Sequence, residues 1–217
     1  MTVHDFSTEK SILNQFVLEM RDVSIQKDSM RFRKNIERIG EILSFEMSKT
    51  FKYKPEEVTT PLGKKTVQVP ADKIVVCSIL RAALPLHNGV INLFDKAENA
   101  YISAYRHHPD GGDDFEVIVN YLASPSIEGK ILVLTDPMLA TGRTLENVLK
   151  AFKSHGTPKQ IHILSVIGAK PGIDYIKPIF PENTHLWIAA VDNELNSRGY
   201  IVPGLGDAGD LCFGEKL

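Results

Sequence analysis

"ILVLTDPMLATGRTLENVLKAF", Ile131 to Phe152, is the stretch from which the fold is read. Ile131–Leu134 is an apolar run of strand type, and an acid, Asp136, stands at its C-terminal end. A short loop, "PMLATGR", follows, and a helix begins near Thr144 with Leu145, Val148, Leu149 and Phe152 on one face. His155, Gly156 and Pro158 supply the stop signals. A strand, an acid, a small-residue loop and a helix N-terminus in that order suit an anionic ligand. First-turn amides, here Thr141 to Thr144, lack intrahelical acceptors, and the helix dipole adds about 0.3–1 kcal/mol for a negative charge at an exposed end. The Thr141 and Thr144 hydroxyls are further donors. Asp136 would repel a phosphate, so it is read as an acceptor for sugar hydroxyls beside one. The implied ligand is a ribose bearing a phosphate. The same residues also fit a plain strand–turn–helix crossover with a capping Thr.

Outward from this stretch, apolar runs of strand type recur at Lys73–Leu80, Ala100–Tyr105, Phe115–Leu122, Lys130–Thr135, Gln160–Ile167 and Thr184–Val191. Helical stretches are expected at Ala82–Phe94, Leu145–His155 and Ile173–Phe180. Near-continuous Ile/Val/Leu runs alternating with helices predict an α/β fold, a mostly parallel sheet covered on both faces. Upstream, Phe32, Ile36, Ile39, Leu43 and Met47 recur three or four residues apart in Asp28–Lys49, an amphipathic helix capped by Asp28 or Ser29. Glu56–Pro70 reads as a hairpin turning near Leu62–Lys65.

The 217 residues suit one large α/β domain or two small ones, and a hydrophobic content of 43% supports a buried core. The net charge of −2, without a basic stripe, argues against a nucleic-acid partner. Cys77 and Cys212 are far apart, in no metal or redox pattern, and are read as structural thiols. The N-terminus carries no signal pattern, and no apolar run approaches the ~20 residues that cross a bilayer. A cytoplasmic protein without membrane contact is expected. His107 and His108 beside Asp110, Asp113 and Asp114 match no standard zinc spacing, so "RHHPDGGDD" is read as a solvated loop and no protein metal site is expected.

Two phosphate-binding motifs are excluded. A P-loop needs Lys after its second Gly, where this chain has Arg143 after Gly142. "PGLGDAGD" (Pro203–Asp210) contains G-x-G-x-x-G, but only eight residues follow Gly209, too few for a dinucleotide-binding βαβ unit. Three glycines in six residues instead let a backbone come close to something flat or small.

"VLTDPMLATGRT" resembles the phosphoribosyl-pyrophosphate motif of type I phosphoribosyltransferases, and its D-P-M-L-A-T-G version that of uracil phosphoribosyltransferases. "YIVPGLGDAGDLCFG" is similar to that family's uracil-binding loop. "ILRAALPL" and the Tyr105–Arg106 pair stand where the family carries pyrophosphate-binding arginines. The similarity runs from about Met20 to the end of the chain.

The resemblance implies a single domain over residues 1–217. Its mostly parallel sheet is flanked by helices, with a small hood of N- and C-terminal segments and a β-hairpin arm. It implies that Arg81, Arg106, Asp207 and the loop Asp136, Pro137, Met138, Leu139, Ala140, Thr141, Gly142, Arg143 and Thr144 bind phosphoribosyl pyrophosphate. Ile201, Gly206, Asp207 and Ala208 hold uracil, and Asp207 and Arg106 act in catalysis. It further implies Mg²⁺ bound mainly through the substrate's pyrophosphate, a nucleotide activator such as GTP, and a homodimer or higher homo-oligomer. The implied reaction joins uracil N1 to ribose C1 and releases pyrophosphate; a nucleotide-sensing regulator on the same fold is the alternative. Ala83 stands where the family has Gly, Arg143–Thr144 where it has Gly-Ser, and His107 where it has an acid. Pro137 occupies the place of the second acid found in the wider class.

Overall fold

The computed structural model describes the backbone of residues 1–107 and 116–216, and the side chains of all of these except 104–107 and 116–119. In chain order the elements are β1 (Thr2–Asp5), α1 (Leu13–Arg21), α2 (Ser29–Ser48), β2 (Tyr53–Thr60), β3 (Gly63–Pro70), β4 (Ile74–Leu80), α3 (Leu84–Ile91), β5 (Glu98–His107) and β6 (Glu116–Ala123). There follow β7 (Ile131–Thr135), β8 (Met138–Leu139), α4 (Arg143–Ala151), β9 (Gln160–Ala169), α5 (Lys170–Ile176), β10 (His185–Asp192), β11 (Glu194–Leu195), β12 (Ile201–Val202) and α6 (Ala208–Phe213).

The main sheet has the order β1-β10-β9-β7-β4-β5-β6, with β8 added beside β9 beyond β7. Every pairing is parallel except β5 with β6. A mostly parallel sheet must be covered on both faces, and here alternate residues serve opposite cores. Ile74, Val76, Ile131 and Val133 join one cluster with Phe32, Ile36, Ile39, Leu43 and Met47 of α2 and Leu86 and Val90 of α3. Val75, Cys77, Leu132 and Leu134 join the other, with Leu145 and Val148 of α4 and Ile173 and Ile176 of α5. All five predicted apolar positions of α2 are at most 1% exposed. Each contributes about 1.5–3 kcal/mol on burial, which seats this helix across the sheet. Asp28 caps it, accepting from the Arg31 amide at 3.0 Å.

The order also fixes where ligands gather. From β4 the chain moves outward to β5 and β6, then returns to β7 on the other side of β4 and continues outward to β9 and β10. The strand order therefore reverses between β4 and β7. In open α/β sheets, ligands bind beyond the C-terminal ends of strands at such a reversal.

Several expectations shift. The hairpin spans Tyr53–Pro70, and Thr60 pairs with Gly63, so its turn is Pro61–Leu62 rather than Leu62–Lys65. Its strands carry no buried face, so no alternation marked their limits; Leu62 is 99% exposed. The helix expected at Ile173–Phe180 is α5, which begins at Lys170 because Pro171 fits its first turn. The helix expected at Ala82–Phe94 is the shorter α3, with Pro85 near its start. The solvated loop predicted around His108, Asp110, Asp113 and Asp114 lies outside the described residues. Among the described residues, no helix is long and apolar enough to cross a membrane.

Candidate active site

β7 ends at Thr135, and Asp136 follows at the reversal. Its amide donates to the Leu164 carbonyl at 3.1 Å, and its carboxylate Oδ1 accepts from the Met138 amide at 3.1 Å. The Ser165 hydroxyl donates to its carbonyl. The Pro137 carbonyl accepts from the amides of Val166 and Ile167 at 3.2 and 3.0 Å. Met138 and Leu139 then pair with Ile167 and Gly168 as β8. The stretch expected to be an open loop is thus tied to β9 over its first half, and only Ala140–Gly142 form the turn. Pro137, Leu139, Ala140 and Gly142 are buried, Asp136, Met138, Thr141 and Thr144 half-buried, and Arg143 exposed.

Gly142 ends the turn in the left-handed region, at φ +80°, and leads into α4. A Cβ there would lie 2.6 Å from Cγ2 of Ile176, so the position excludes a side chain on two counts. The Arg143 amide reaches the Thr141 hydroxyl oxygen at 3.5 Å. The helix begins at Arg143, one residue earlier than expected, and its first-turn amides border the turn.

Across the reversal, β4 ends at Leu80, and Arg81 follows through a cis peptide. The Arg81 Nη2 donates to Asp210 Oδ1 at 3.4 Å and to the Gly214 carbonyl at 3.2 Å. Arg106 lies on β5 in register with Val117, three residues beyond Ser103, the partner of Leu80. Its backbone therefore lies beyond the C-terminal end of β4, as Arg81 does; its side chain lies outside the described residues.

The tail "IVPGLGDAGDLCF" is not a loop throughout. Ile201 and Val202 pair with β11, and Ala208–Phe213 form α6. Asp207 is the cap of that helix. Its Oδ1 accepts from the Asp210 amide at 3.0 Å and its Oδ2 from Lys216 Nζ at 3.2 Å. Burial raises the Asp207 pKa, but the Asp210 amide and the Lys216 charge outweigh it, and the carboxyl stays below the ordinary aspartate range. Ile201 and Ala208 are buried, and Gly206 is exposed at φ +93°. Ile201, Leu205 and Ala208 share one apolar cluster with Ala140, against which Met138 packs.

Of the sequence-predicted residues, Arg81 is bonded to the tail beside the reversal at which the Asp136 turn begins, and Arg106 is located by its backbone alone. The turn after Asp136, Arg81 and the capped tail surround the ends of β4, β7 and β9. Asp210 and Lys216, which join Arg81 to Asp207, were missed; the acid one helical turn after a capping Asp was the available signal. Arg33 was missed as well: its Nη1 donates to the Cys212 carbonyl at 2.5 Å and holds the end of α6. Both cysteines are buried, and burial raises each thiol to about 12, in keeping with structural roles. A cavity of about 560 Å³ between α1 and β10 is lined by none of the predicted site residues.

The chain matches a family model described as uracil phosphoribosyltransferase over residues 7–215. It is 51% identical over 217 residues to a uracil phosphoribosyltransferase of Porphyromonas gingivalis, with 100% of both proteins covered. To a uracil phosphoribosyltransferase of Thermococcus gammatolerans it is 39% identical over 218 residues, covering 99% of this chain and 94% of that protein. The solved structure of the AQ2163 protein from Aquifex aeolicus aligns with a TM-score of 0.87 at 30% identity, covering 98% of each chain. Matched over nearly its whole length, with its two specific motifs meeting at the reversal of the sheet, the chain belongs to the uracil phosphoribosyltransferase family.

Proposed function

We propose that this chain, as one domain over residues 1–217, transfers the phosphoribosyl group of 5-phosphoribosyl 1-pyrophosphate to N1 of uracil, giving uridine monophosphate and pyrophosphate. One observation supports the reading: Arg81 follows β4 and the Asp136–Thr144 turn follows β7, the two strands at the reversal, and Arg81 bonds Asp210 and Gly214 of the tail that carries Asp207.

In this reading the first-turn amides of α4 and the hydroxyls of Thr141 and Thr144 hold the 5-phosphate, and Asp136 accepts from ribose hydroxyls. As the C1–O bond to pyrophosphate breaks, negative charge grows on the leaving group and the ribose becomes cation-like. Arg81 and Arg106 suit the leaving group because a guanidinium grips two phosphate oxygens at once. Fixed donors of this kind lower the barrier without reorganising during the reaction. In this reading Asp207, whose pKa is held below the ordinary aspartate range, steadies the cation-like sugar or the base's N1 proton. Gly206, without a Cβ, lets the backbone approach a flat ring. Backbone donors and acceptors at Ile201, Gly206 and Ala208 match uracil's edge, and an N–H that meets a carbonyl of uracil would face the amino group of cytosine and reject it.

Among the described residues, no group of three acids, histidines or cysteines is arranged to hold a metal, and Pro137 removes a second carboxylate beside Asp136. In this reading magnesium comes with the donor, carried on its pyrophosphate as part of the substrate. A homodimer or higher oligomer is part of the same proposal. Among the described residues β2 and β3 pair only with each other, and an isolated hairpin is marginal in water, so the arm fits a second subunit. GTP as an activator and the cytoplasm as the location complete the reading.

The test is release of pyrophosphate from the donor and Mg²⁺ with a panel of bases, run with and without GTP. Release with uracil alone supports the assignment. Release with a purine, or with no base of the panel, overturns it.

A further inference from the structure

The tail loop is held by a half-buried ion pair to which the phosphoribosyl chemistry assigns no role. Arg21, the last residue of α1, donates through Nη1 and Nη2 to Asp192 Oδ2 and Oδ1, both at 2.8 Å. The pair joins residues 171 positions apart, and the side chains of Arg21 and Asp192 are 24% and 9% exposed. Both partners also bond one residue of the loop. The Gly204 amide donates to Asp192 Oδ2 at 3.0 Å, and its carbonyl accepts from Arg21 Nη1 at 2.9 Å. The next carbonyl, that of Leu205, accepts from Gln26 Nε2 at 3.2 Å, while the same amide holds the Met20 carbonyl at 2.8 Å.

We propose that Arg21 and Asp192, assisted by Gln26, are positioning residues for base recognition: they set the orientation of the Gly204–Leu205 peptides and so the alignment of the backbone that reads the base. This rests on the assignment of the Ile201–Ala208 backbone to uracil. The argument is one of geometry. Backbone recognition has no side chain to adjust, so its precision depends on what fixes the peptide planes. Here the Gly204 amide is engaged by the end of β10, its carbonyl by α1, and the Leu205 carbonyl by the α1–α2 connection. A planar fork meeting a carboxylate on two parallel bonds resists rotation, which a single-point lysine contact does not. A partly buried pair of this kind is weak evidence for stability by itself, and its bonds to both polar groups of Gly204 point to a specifying role. Most of the donor site lies on other elements: Arg81 follows β4 and the Asp136 turn packs on β9 and α5, while Asp207, the donor residue in the tail, is fixed by the Asp210 amide and Lys216 rather than by this pair. The pair therefore acts on the base and spares the donor.

The experiment compares Asp192→Asn, Arg21→Lys and Gln26→Ala with the unaltered chain in steady-state kinetics, donor calorimetry and thermal melts. A charged hydrogen bond lost from a positioned loop corresponds to about a ten- to hundredfold effect. The expected result is a rise of that size in KM for uracil in Asp192→Asn, with the donor dissociation constant within about twofold. Arg21→Lys, which keeps the charge without the fork, gives a smaller rise, and Gln26→Ala, which removes one neutral bond, the smallest. Melting temperatures that fall while KM for uracil stays unchanged would overturn the proposal, as would equal losses for donor and base. If Asp192→Asn does not fold, Gln26→Ala carries the same test, because it leaves the ion pair intact. A parallel Gly206→Ala variant separates the two readings. A raised KM for uracil in that variant, without one in Asp192→Asn, sinks the positioning role alone. No change in either sinks the assignment of the base loop, and the positioning role with it.

Discussion

Arg81 and Asp210 are paired at 3.4 Å, the guanidinium at the end of β4 and the carboxylate in the first turn of α6. The arginine assigned to pyrophosphate is thus held by an anion of the chain itself, beside the tail assigned to the base. The two anions would share one cation.

Removing the internal anion is therefore expected to favour the donor. The pair is well exposed, at 43% and 31% for its side chains, so its worth is about 0–1 kcal/mol. Asp210→Asn should tighten donor binding by at most about fivefold, the ratio that this energy allows. Arg81→Ala should weaken it by about tenfold or more, as loss of a charged hydrogen bond does. Titration calorimetry with phosphoribosyl pyrophosphate measures both. Weaker binding by Asp210→Asn would show that the carboxylate orients Arg81 rather than competing for it.

Asp207 has two duties, and they separate by substitution. Its Oδ1 caps α6, and an Asn side chain supplies the same acceptor without the charge. Asp207→Asn should melt near the unaltered protein yet turn over at least about tenfold slower, the loss expected when a fixed charge is removed. Asp207→Ala should lose the same turnover and also about 1 kcal/mol of stability with the cap. Steady-state rates and thermal melts read the two separately. Full activity in Asp207→Asn would remove the carboxylate from the chemistry.

Gly142 is the position at which sequence and geometry make the sharpest demand. Its φ of +80° disfavours an L-residue, and the Ile176 methyl leaves no room for Cβ. Gly142→Ala should cost about 1–3 kcal/mol through backbone strain and contact. The turn would also lose its alignment on phosphate, so the donor dissociation constant should rise with the fall in melting temperature. A destabilised variant that binds donor normally would place the phosphate elsewhere.

The legible parts of this fold were those with a local signal. Ile74–Leu80 and Ile131–Thr135 are buried on both faces, so their Ile/Val runs announced a parallel sheet, and the 3.6-residue stripe of α2 announced its core face. β1 was not legible: Thr2–Asp5 has one large apolar residue, and its strand state comes from pairing with β10 across 180 residues of chain. α6 was hidden by Gly204, Gly206 and Gly209, which mark turns in sequence, whereas Asp207 turns the last of them into a capped helix. At the site, the turn after Asp136 was readable because loop and helix start are adjacent. The Arg21–Asp192 pair was not, since no local pattern relates residues so far apart.

The bottom of the sheet holds a pH-sensitive feature of a different kind. His4, His162, His185 and Trp187 stack across β1, β9 and β10; His4 lies 3.7 Å from the Trp187 ring and His162 5.1 Å from His185. His162 Nδ1 accepts from Trp187 Nε1 at 3.0 Å, which makes the buried ring neutral at one nitrogen. Burial, then the charges of His185 and His4, push the His162 pKa down to about 3, and burial first lowers His4 and His185 too. A folded pKa below the unfolded value of about 6.5 means that the unfolded chain binds more protons in between. Stability is then complete above pH ~6.5 and falls as the pH drops from there toward 3. The melting temperature should decline progressively from pH 7 to pH 4.5 while the carboxylate pairs are still ionised. His162→Gln, which cannot charge, should start lower at pH 7 and decline less steeply, and a slope equal to that of the unaltered chain would assign the acid sensitivity to other groups.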